Sequence, residues 1–330
     1  MKKETRQKIL LYASYAAFFS VCFVLFAYWT FPYDRLRDYI IQEAERPQGP
    51  DGTRRPSGLQ LEIEELSPSW ITGVDLTGVR LVKAPDTPGG TPLELAVDEA
   101  SARISLLSLL AGDTAVSFEA TVGGGTIEGE YEQSDEQTVI QAGMRAVDLG
   151  RLGVVRSLID LPVTGAATGE VDLTIADDVR KTKGSIALTI AELRIGDGRA
   201  KLPIQGMSDG LSVERIGAGS LSVEIKVDNG VARFERFETD GPDLELRASG
   251  TVRLLRPLEM SRLDLLVRIK FTDDYRDRSD ITRRLFSAMD FLPQLRAARA
   301  PDGALQYRIS GSFGSRITPE PAGRAQLPAR

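Results

Sequence analysis

The chain has 330 residues, with 47 acidic and 41 basic side chains, a single cysteine and no histidine. Without histidine, Ser-His-Asp and Cys-His catalysis and the common zinc motifs are excluded, and a lone cysteine excludes internal disulfides. The net charge of −6 argues against a nucleic-acid partner, because proteins that bind nucleic acid present basic surfaces. Carboxylate chemistry, a Ser-Lys pair or an all-oxygen metal site remain as catalytic possibilities.

The N-terminal sequence predicts a membrane anchor. Residues 9–33 contain no charged side chain, and about 20 apolar residues suffice to cross a bilayer as a helix. The stretch is too long for the apolar part of a cleaved signal and ends in aromatic residues, which favour the headgroup region. A buried helix of a soluble domain is the alternative. We predict a transmembrane helix over residues 9–31.

The charges on either side of the anchor predict its orientation. Four of the first eight residues, MKKETRQK, are basic, and such an excess stays on the cytoplasmic side. The remainder of the chain carries 37 basic and 46 acidic residues, a net charge of −9. We therefore expect residues 1–8 to be a cytoplasmic tail of a single-pass protein of the bacterial inner membrane, with the bulk of the chain in the periplasm.

Differences in amino-acid composition divide the exported part into three segments. Residues 32–58 are predicted to be a juxtamembrane segment and a linker, because residues 45–58, ERPQGPDGTRRPSG, are rich in Pro, Gly and charge. Residues 59–316 are predicted to be one β-rich domain. Residues 317–330 are predicted to be a disordered tail.

Period-two alternation of apolar and polar residues dominates residues 59–316. It is clear in LQLEIEEL, GEVDLTI, SIALTIAELRI, SLSVEIKVDNGVARF, DLELRASGTVRLL, RLDLLVRIKF and ALQYRISGSF. Such alternation is typical of antiparallel strands that are apolar on one face. Asn229-Gly230 between two alternating runs is a strong hairpin signal. The predicted fold class is all-β, mainly antiparallel, as a bent sheet or half-barrel with a few short helices, preceded by one transmembrane helix.

Three segments predict short helices. Residues 104–113, ISLLSLLAGD, are stopped by Gly112, and residues 148–159 form a similar short piece. The third helix begins after Ser279 or Asp280, either of which can cap it. Its predicted inward face contains Ile281, Leu285, Ala288, Met289 and Leu292. We expect this helix to close the end of the sheet or to lie across its apolar face.

Two segments superficially suggest a chemical site. Gly123, Gly124 and Gly125 resemble a phosphate cradle, but no Gly-Lys-Ser/Thr follows, so a hairpin turn is favoured. Asp273, Asp274, Asp277 and Asp280 could ligate calcium, but the central Gly and final Glu of a calcium loop are missing. A solvated turn that caps the next helix is favoured there. We predict no catalytic, cofactor-binding or metal-ligating residue, no cofactor, and a non-enzymatic protein.

The chain resembles the type II secretion system protein N (GspN) family and, more distantly, AsmA-like periplasmic β-rich proteins. The resemblance is carried by FPYDRLRDYI after the anchor and by residues 66–81, 104–112, 148–175 and 297–315, including LSPSWITGVDLTGVRL and ISLLSLLAG. These are structural patterns rather than catalytic signatures. One departure is the ending GSRITPEP, and another is residues 191–216, where glycine and proline breaks obscure the strand register.

The resemblance implies an inner-membrane-anchored accessory component of the type II protein secretion system that acts by protein–protein interaction. Its expected partners are other secretion-system proteins in the periplasm or inner membrane, and phospholipid is a further possible partner. The alternative is an AsmA-like lipid-binding or lipid-transfer protein with an apolar β groove. Both predict period-two strands, and an open apolar face well above a few hundred Å² would favour a ligand.

Overall fold

A computed structural model describes residues 12, 14–15, 18–19, 21–23, 25–26, 28–47, 53–54, 56–69, 72–84, 92–153, 161–199, 201–202, 211–313 and 317–323. Within these residues the fold is one antiparallel sheet of 14 strands with a few short helices, and the sheet is not closed. The all-β, mainly antiparallel prediction is confirmed. At about 4.8 Å between neighbouring strands, the sheet extends for about 60 Å.

The sheet is a meander, in which each strand pairs with the strand that follows it. The first half contains β1 (Leu59–Ser69), β2 (Gly73–Lys83), β3 (Leu93–Ile104), β4 (Thr114–Val122), β5 (Gly125–Gln133), β6 (Gln137–Asp148), β7 (Val163–Ala176) and β8 (Lys183–Ile195). Two short strands, β9 (Lys201–Leu202) and β10 (Leu211–Ser212), form a separate two-stranded sheet. The main sheet then continues with β11 (Ile216–Asp228), β12 (Val231–Thr239), β13 (Leu244–Arg253), β14 (Arg262–Phe271), β15 (Leu305–Ser312) and β16 (Thr318–Pro321).

The residues in the turns help to explain why consecutive strands pair with each other. Asn229 and Gly230 join β11 to β12 with φ of 51° and 70°, which is the two-residue hairpin turn that this pair favours. The three glycines at 123–125 end β4 and begin β5, and Gly123 and Gly124 have φ of 57° and 76°. Both segments are therefore hairpin turns, as predicted.

The described part of the chain includes five short α-helices with defined bounds. They are α1 (Tyr33–Glu45), α2 (Leu106–Ala111), α3 (Asp273–Arg276), α4 (Asp280–Asp290) and α5 (Pro293–Ala298). The predicted helices at 104–113 and after Ser279 are confirmed, and Ser279 and Thr282 form a capping box. Of the predicted helix at 148–159, Leu149–Arg151 is one 3₁₀ turn, and residues 154–160 lie outside the described residues.

Both edges of the sheet are protected. Helix α1 packs against β1, and its side chains Leu36, Ile40 and Ala44 are half-buried. The chain then reverses, so that Ser57 Oγ donates to the carbonyl oxygens of Ala44 (2.8 Å) and Glu45 (3.0 Å). At the other edge, β16 is four residues long and contains two prolines. A short edge strand with prolines disfavours pairing with a further strand, because proline has no N–H to donate.

The described residues between positions 12 and 30 are helical. The large apolar side chains described there are exposed, namely Tyr12, Tyr15, Phe18, Phe19, Val21, Phe23, Leu25, Phe26 and Trp29. The predicted anchor at 9–31 lies partly outside the described residues. Among the described residues, no helix meets the length and hydropathy needed to cross a membrane.

Two elements differ from the sequence-based expectation. Within the tail predicted to be disordered over 317–330, Thr318–Pro321 pair with β15, because the free edge of β15 offers unpaired backbone groups. In α4 the buried residues are Thr282 and Leu285, whereas Ile281 is exposed. The helix is rotated because Phe286 turns inward against Phe271, with ring centroids 5.1 Å apart.

Candidate functional site

In the half of the sheet where β1 ends, the strand register sorts apolar and polar residues onto opposite faces. Residues directly paired across an antiparallel ladder point to the same face, so each set of paired residues forms a row across the strands. Three rows on one face are uncharged, and we call this face the apolar face. Row one contains Leu66, Leu76, Ala100, Ala120, Ile127, Met144, Gly169, Leu188, Val223 and Phe237.

The other two rows continue the same face toward the end of the sheet where β1 ends. Row two contains Pro68, Val74, Ala102, Phe118, Gly129, Ala142, Val171, Ile186, Ile225 and Phe234. Row three contains Ile104, Val116, Tyr131, Ile140, Leu173, Gly184, Val227, Ala232, Val252 and Leu263. No member of any row is charged, so the apolar face is continuous from β1 to β14.

The apolar face is unevenly covered. On β2 to β6, the members of the three rows are half-buried, apart from Ile104, which is exposed. On the later strands several members are buried, including Val223, Val227 and Val252 at 7%, 5% and 7% exposure. A fully packed core would bury such side chains on every strand. Within the described ranges, the early strands therefore present apolar side chains that no second layer of helix or sheet packs against.

One part of the apolar face is covered by Val213, Glu214 and helices α3 and α4, which together we call the cap. Val213 and Tyr275 are 2% and 0% exposed, and both belong to the buried cluster that includes Leu221, Val223 and Leu244. Phe286 packs at the edge of this cluster, with its ring centroid 6.1 Å from that of Tyr275. The cap therefore closes the face beside β8, β11 and β13, and it does not reach β2 to β6.

Polar contacts hold the cap to the sheet. The hydroxyl of Tyr275 donates to the carbonyl oxygen of Glu214 at 2.8 Å, and Ser279 Oγ donates to Glu214 Oε2 at 2.9 Å. Arg278 donates from both terminal nitrogens to Asp243, one bond being 3.0 Å, and the Gly217 N–H donates to the same carboxylate at 2.7 Å. Asp243 is 4% exposed. The cap is thus fixed by an ion pair between buried Asp243 and partly exposed Arg278.

The environment of the cap shifts two pKa values. Burial, and then the charge of Glu214, raise the pKa of Tyr275 to about 12, so its hydroxyl stays a donor at neutral pH. Burial alone would raise the pKa of Asp243, but hydrogen bonds from Arg278 and the Gly217 N–H and the charge of Arg278 outweigh it and lower the pKa. Asp243 is therefore ionised in the folded protein at neutral pH.

Opposite the three rows, the other face of the sheet is polar, and it is acidic around β4 to β7. Its rows include Glu119, Glu128 and Glu170, and a shallow groove of about 750 Å³ there is lined by Glu128, Glu130, Glu170 and Asp172, among others. Arg145 forms an ion pair with Glu128. In the described ranges, no group of three or more acidic or cysteine side chains is placed to hold a metal ion.

The segments that resembled chemical sites are structural. Of the four aspartates between 273 and 280, Asp273 pairs with Arg276 at 3.9 Å and Asp280 with Arg283 at 2.6 Å. Asp273 and Asp274 begin α3, Asp277 follows its last residue and Asp280 begins α4, which is consistent with the solvated turn before a helix that the sequence favoured. Sequence reasoning missed Tyr275 in the same segment, and its only signal was an aromatic residue within an acidic, apparently solvated stretch.

No family model, curated protein or solved structure matches the chain. Its function is therefore inferred from the geometry of the two faces of the sheet.

Proposed function

We propose that the chain is a membrane-anchored protein of the bacterial periplasm that binds lipid acyl chains along the apolar face. The observation that carries this proposal is the set of three uncharged rows, two from β1 to β12 and one from β3 to β14, whose members on β2 to β6 are half-buried or exposed. Rows are about 6.6 Å apart along a strand and strands are about 4.8 Å apart, so the three rows on β2 to β6 cover roughly 480 Å². An apolar patch of this size is as large as the largest on typical soluble monomers, and such patches often bind a ligand or a partner.

Acyl chains fit this surface better than a compact ligand does. The face is long, narrow and uncharged, whereas a compact ligand is usually oriented by a few convergent polar groups in a deep pocket. Lipid headgroups would lie at the margin of the face, in contact with water. The AsmA-like resemblance supports the same class of ligand.

The proposed location follows from the N-terminal sequence. Residues 1–8 would remain in the cytoplasm, residues 9–31 would cross the inner membrane and the sheet would lie in the periplasm. The exposed aromatic and aliphatic side chains between Tyr12 and Trp29 support this location, because water is a poor environment for so many of them.

A second candidate is an accessory role in type II secretion through protein–protein contact, as the GspN resemblance implies. The acidic groove on the polar face favours it, because Glu128, Glu130 and Glu170 would attract a basic partner surface. Both sheet edges are protected, so such a partner would bind the polar face rather than add a strand. In that case binding would weaken with salt.

Native mass spectrometry of the full chain released from detergent tests lipid binding. We expect the wild-type chain to retain phospholipid and the double variant Val116→Glu/Val171→Glu to retain at least about tenfold less, because each carboxylate would face acyl chains. Both positions are half-buried, so the variant should still fold, as circular dichroism would show.

The matched control is Ser117→Glu/Ser185→Glu, which adds the same charge to the polar face. We expect this control to retain lipid like the wild type. A wild-type chain without lipid, or equal lipid on both double variants, would contradict binding at the apolar face.

A further inference from the structure

Helix α2 carries an unusual concentration of exposed leucine. Leu106, Leu107, Leu109 and Leu110 are 52%, 81%, 57% and 86% exposed, and no charge occurs between Ile104 and Gly112. Exposed clusters of this kind mark contact with a partner or a membrane. The lack of any charged or aromatic residue suits a lipid surface better than a protein interface, whose core is enriched in aromatic residues and Arg.

Several polar groups of this loop are hydrogen-bonded within it. Ser105 Oγ accepts from the Ser108 N–H at 3.4 Å, and Ser108 Oγ donates to Ser105 Oγ at 3.0 Å. Gly112, with φ of 93°, ends the helix by donating from its N–H to the Leu109 carbonyl oxygen. A segment whose polar groups bond internally enters an apolar medium at lower cost.

The loop is continuous with the apolar face. Ile104, the last residue of β3, is the first member of row three and pairs with Val116. The exposed leucines follow Ile104 with only one serine between. No charged side chain therefore separates α2 from the row of apolar residues that crosses the sheet.

The N-terminal helix points toward the same end of the sheet. Helix α2 lies where β3 ends, which by the antiparallel order is also the end of the sheet where β1 ends. Ser57 ties the C-terminal end of α1 to the start of β1, and α1 packs against β1. Helix α1 therefore runs back alongside β1, and its N-terminal end lies toward the α2 end of the sheet.

We propose that α2 inserts its leucines into the surface of a lipid bilayer and is the point at which acyl chains pass between that bilayer and the apolar face. This proposal rests on the proposed lipid-binding function. Insertion would place Ile104 and row three at the membrane surface, so that an acyl chain could slide onto the sheet without crossing water.

Depth-dependent fluorescence quenching tests the insertion. The full chain carrying Cys22→Ser and Leu107→Cys would be labelled with an environment-sensitive fluorophore and reconstituted into vesicles of phosphatidylethanolamine and phosphatidylglycerol. We expect blue-shifted emission that is quenched by lipids carrying a nitroxide on the acyl chain. The control label at Asp135→Cys, in the polar β5–β6 turn at the same end of the sheet, should report water. Emission from position 107 that matches the control would overturn the proposal.

Lipid loading tests the transfer step. Leu107→Ser/Leu110→Ser should lower the lipid retained in native mass spectrometry by about tenfold for each leucine lost from the bilayer. Phe291→Ser is the control. It removes a side chain of similar exposure (76%) just after α4, and it should not lower the amount of retained lipid. Normal loading of the double-serine variant would overturn the transfer role. A wild-type chain that holds no lipid would instead refute the proposed function, and position 107 would still report insertion independently.

Discussion

Val223→Asp is expected to unfold the sheet. Val223 is 7% exposed and sits in row one between Leu188 and Phe237, where a carboxylate would have no partner. Burying an unpaired charge costs several kcal/mol, against a total stability of about 5–15 kcal/mol for an ordinary domain. The loss of the cooperative transition in a thermal melt followed by circular dichroism would confirm the effect.

The matched control is Ser222→Asp on the same strand. Ser222 pairs with Thr189 on the polar face and is half-buried, so its substitution should change stability by less than about 1 kcal/mol. Leu246→Asp should have a smaller effect than Val223→Asp, because Leu246 is only half-buried. A soluble Val223→Asp protein with an unchanged melting temperature would show that the strand register is wrong.

Asp243→Asn is expected to detach the cap from the sheet. The substitution removes the charge that Arg278 and the Gly217 N–H bind, and breaking a buried ion pair typically costs about 3–5 kcal/mol. Because Arg278 is partly hydrated, with a side chain 40% exposed, its charge is not left buried, and we expect a smaller loss of about 1–3 kcal/mol. Exposed Asp274 supplies the control, since Asp274→Asn should cost less than about 1 kcal/mol.

The same pair predicts a pH dependence. The pKa of Asp243 is lowered in the folded protein, so its stabilising contribution is present above the unfolded carboxyl pKa, about 3.9. It is lost as the pH falls through the folded value. The difference in melting temperature between wild type and Asp243→Asn should therefore be constant near neutrality and shrink below about pH 4. A difference that stays constant or grows down to pH 3 would contradict the role of the charge.

Most of the sheet could be predicted because its determinants are local. Period-two runs mark β7, β8 and β11 to β15, and Asn229-Gly230 marks one hairpin, since each depends on a few adjacent residues. The short strand β16 could not be predicted from TPEP, because proline disfavours strands and only the free edge of β15 makes pairing favourable.

The open apolar face could not be predicted from period alone. A strand in a closed sandwich and a strand in an open single layer both alternate apolar and polar residues. The difference lies in which elements cover Val116, Phe118 and Ile140, and that depends on contacts distant in sequence. The burial of Tyr275 could not be predicted for the same reason. It depends on contacts with Glu214 and Phe286, which are not its immediate neighbours in the sequence.

Site-specific photo-cross-linking along β6 in living cells tests the apolar face as a lipid site most directly. A photoreactive phenylalanine analogue would replace Ile140 or Ala142, in rows three and two, and Val139 or Gln141, which point to the polar face. Val139 is apolar itself, so it separates the effect of the face from that of the residue type. We predict phospholipid adducts at 140 and 142 and none at 139 and 141. Adducts at all four positions, or at none, would contradict lipid binding on the apolar face.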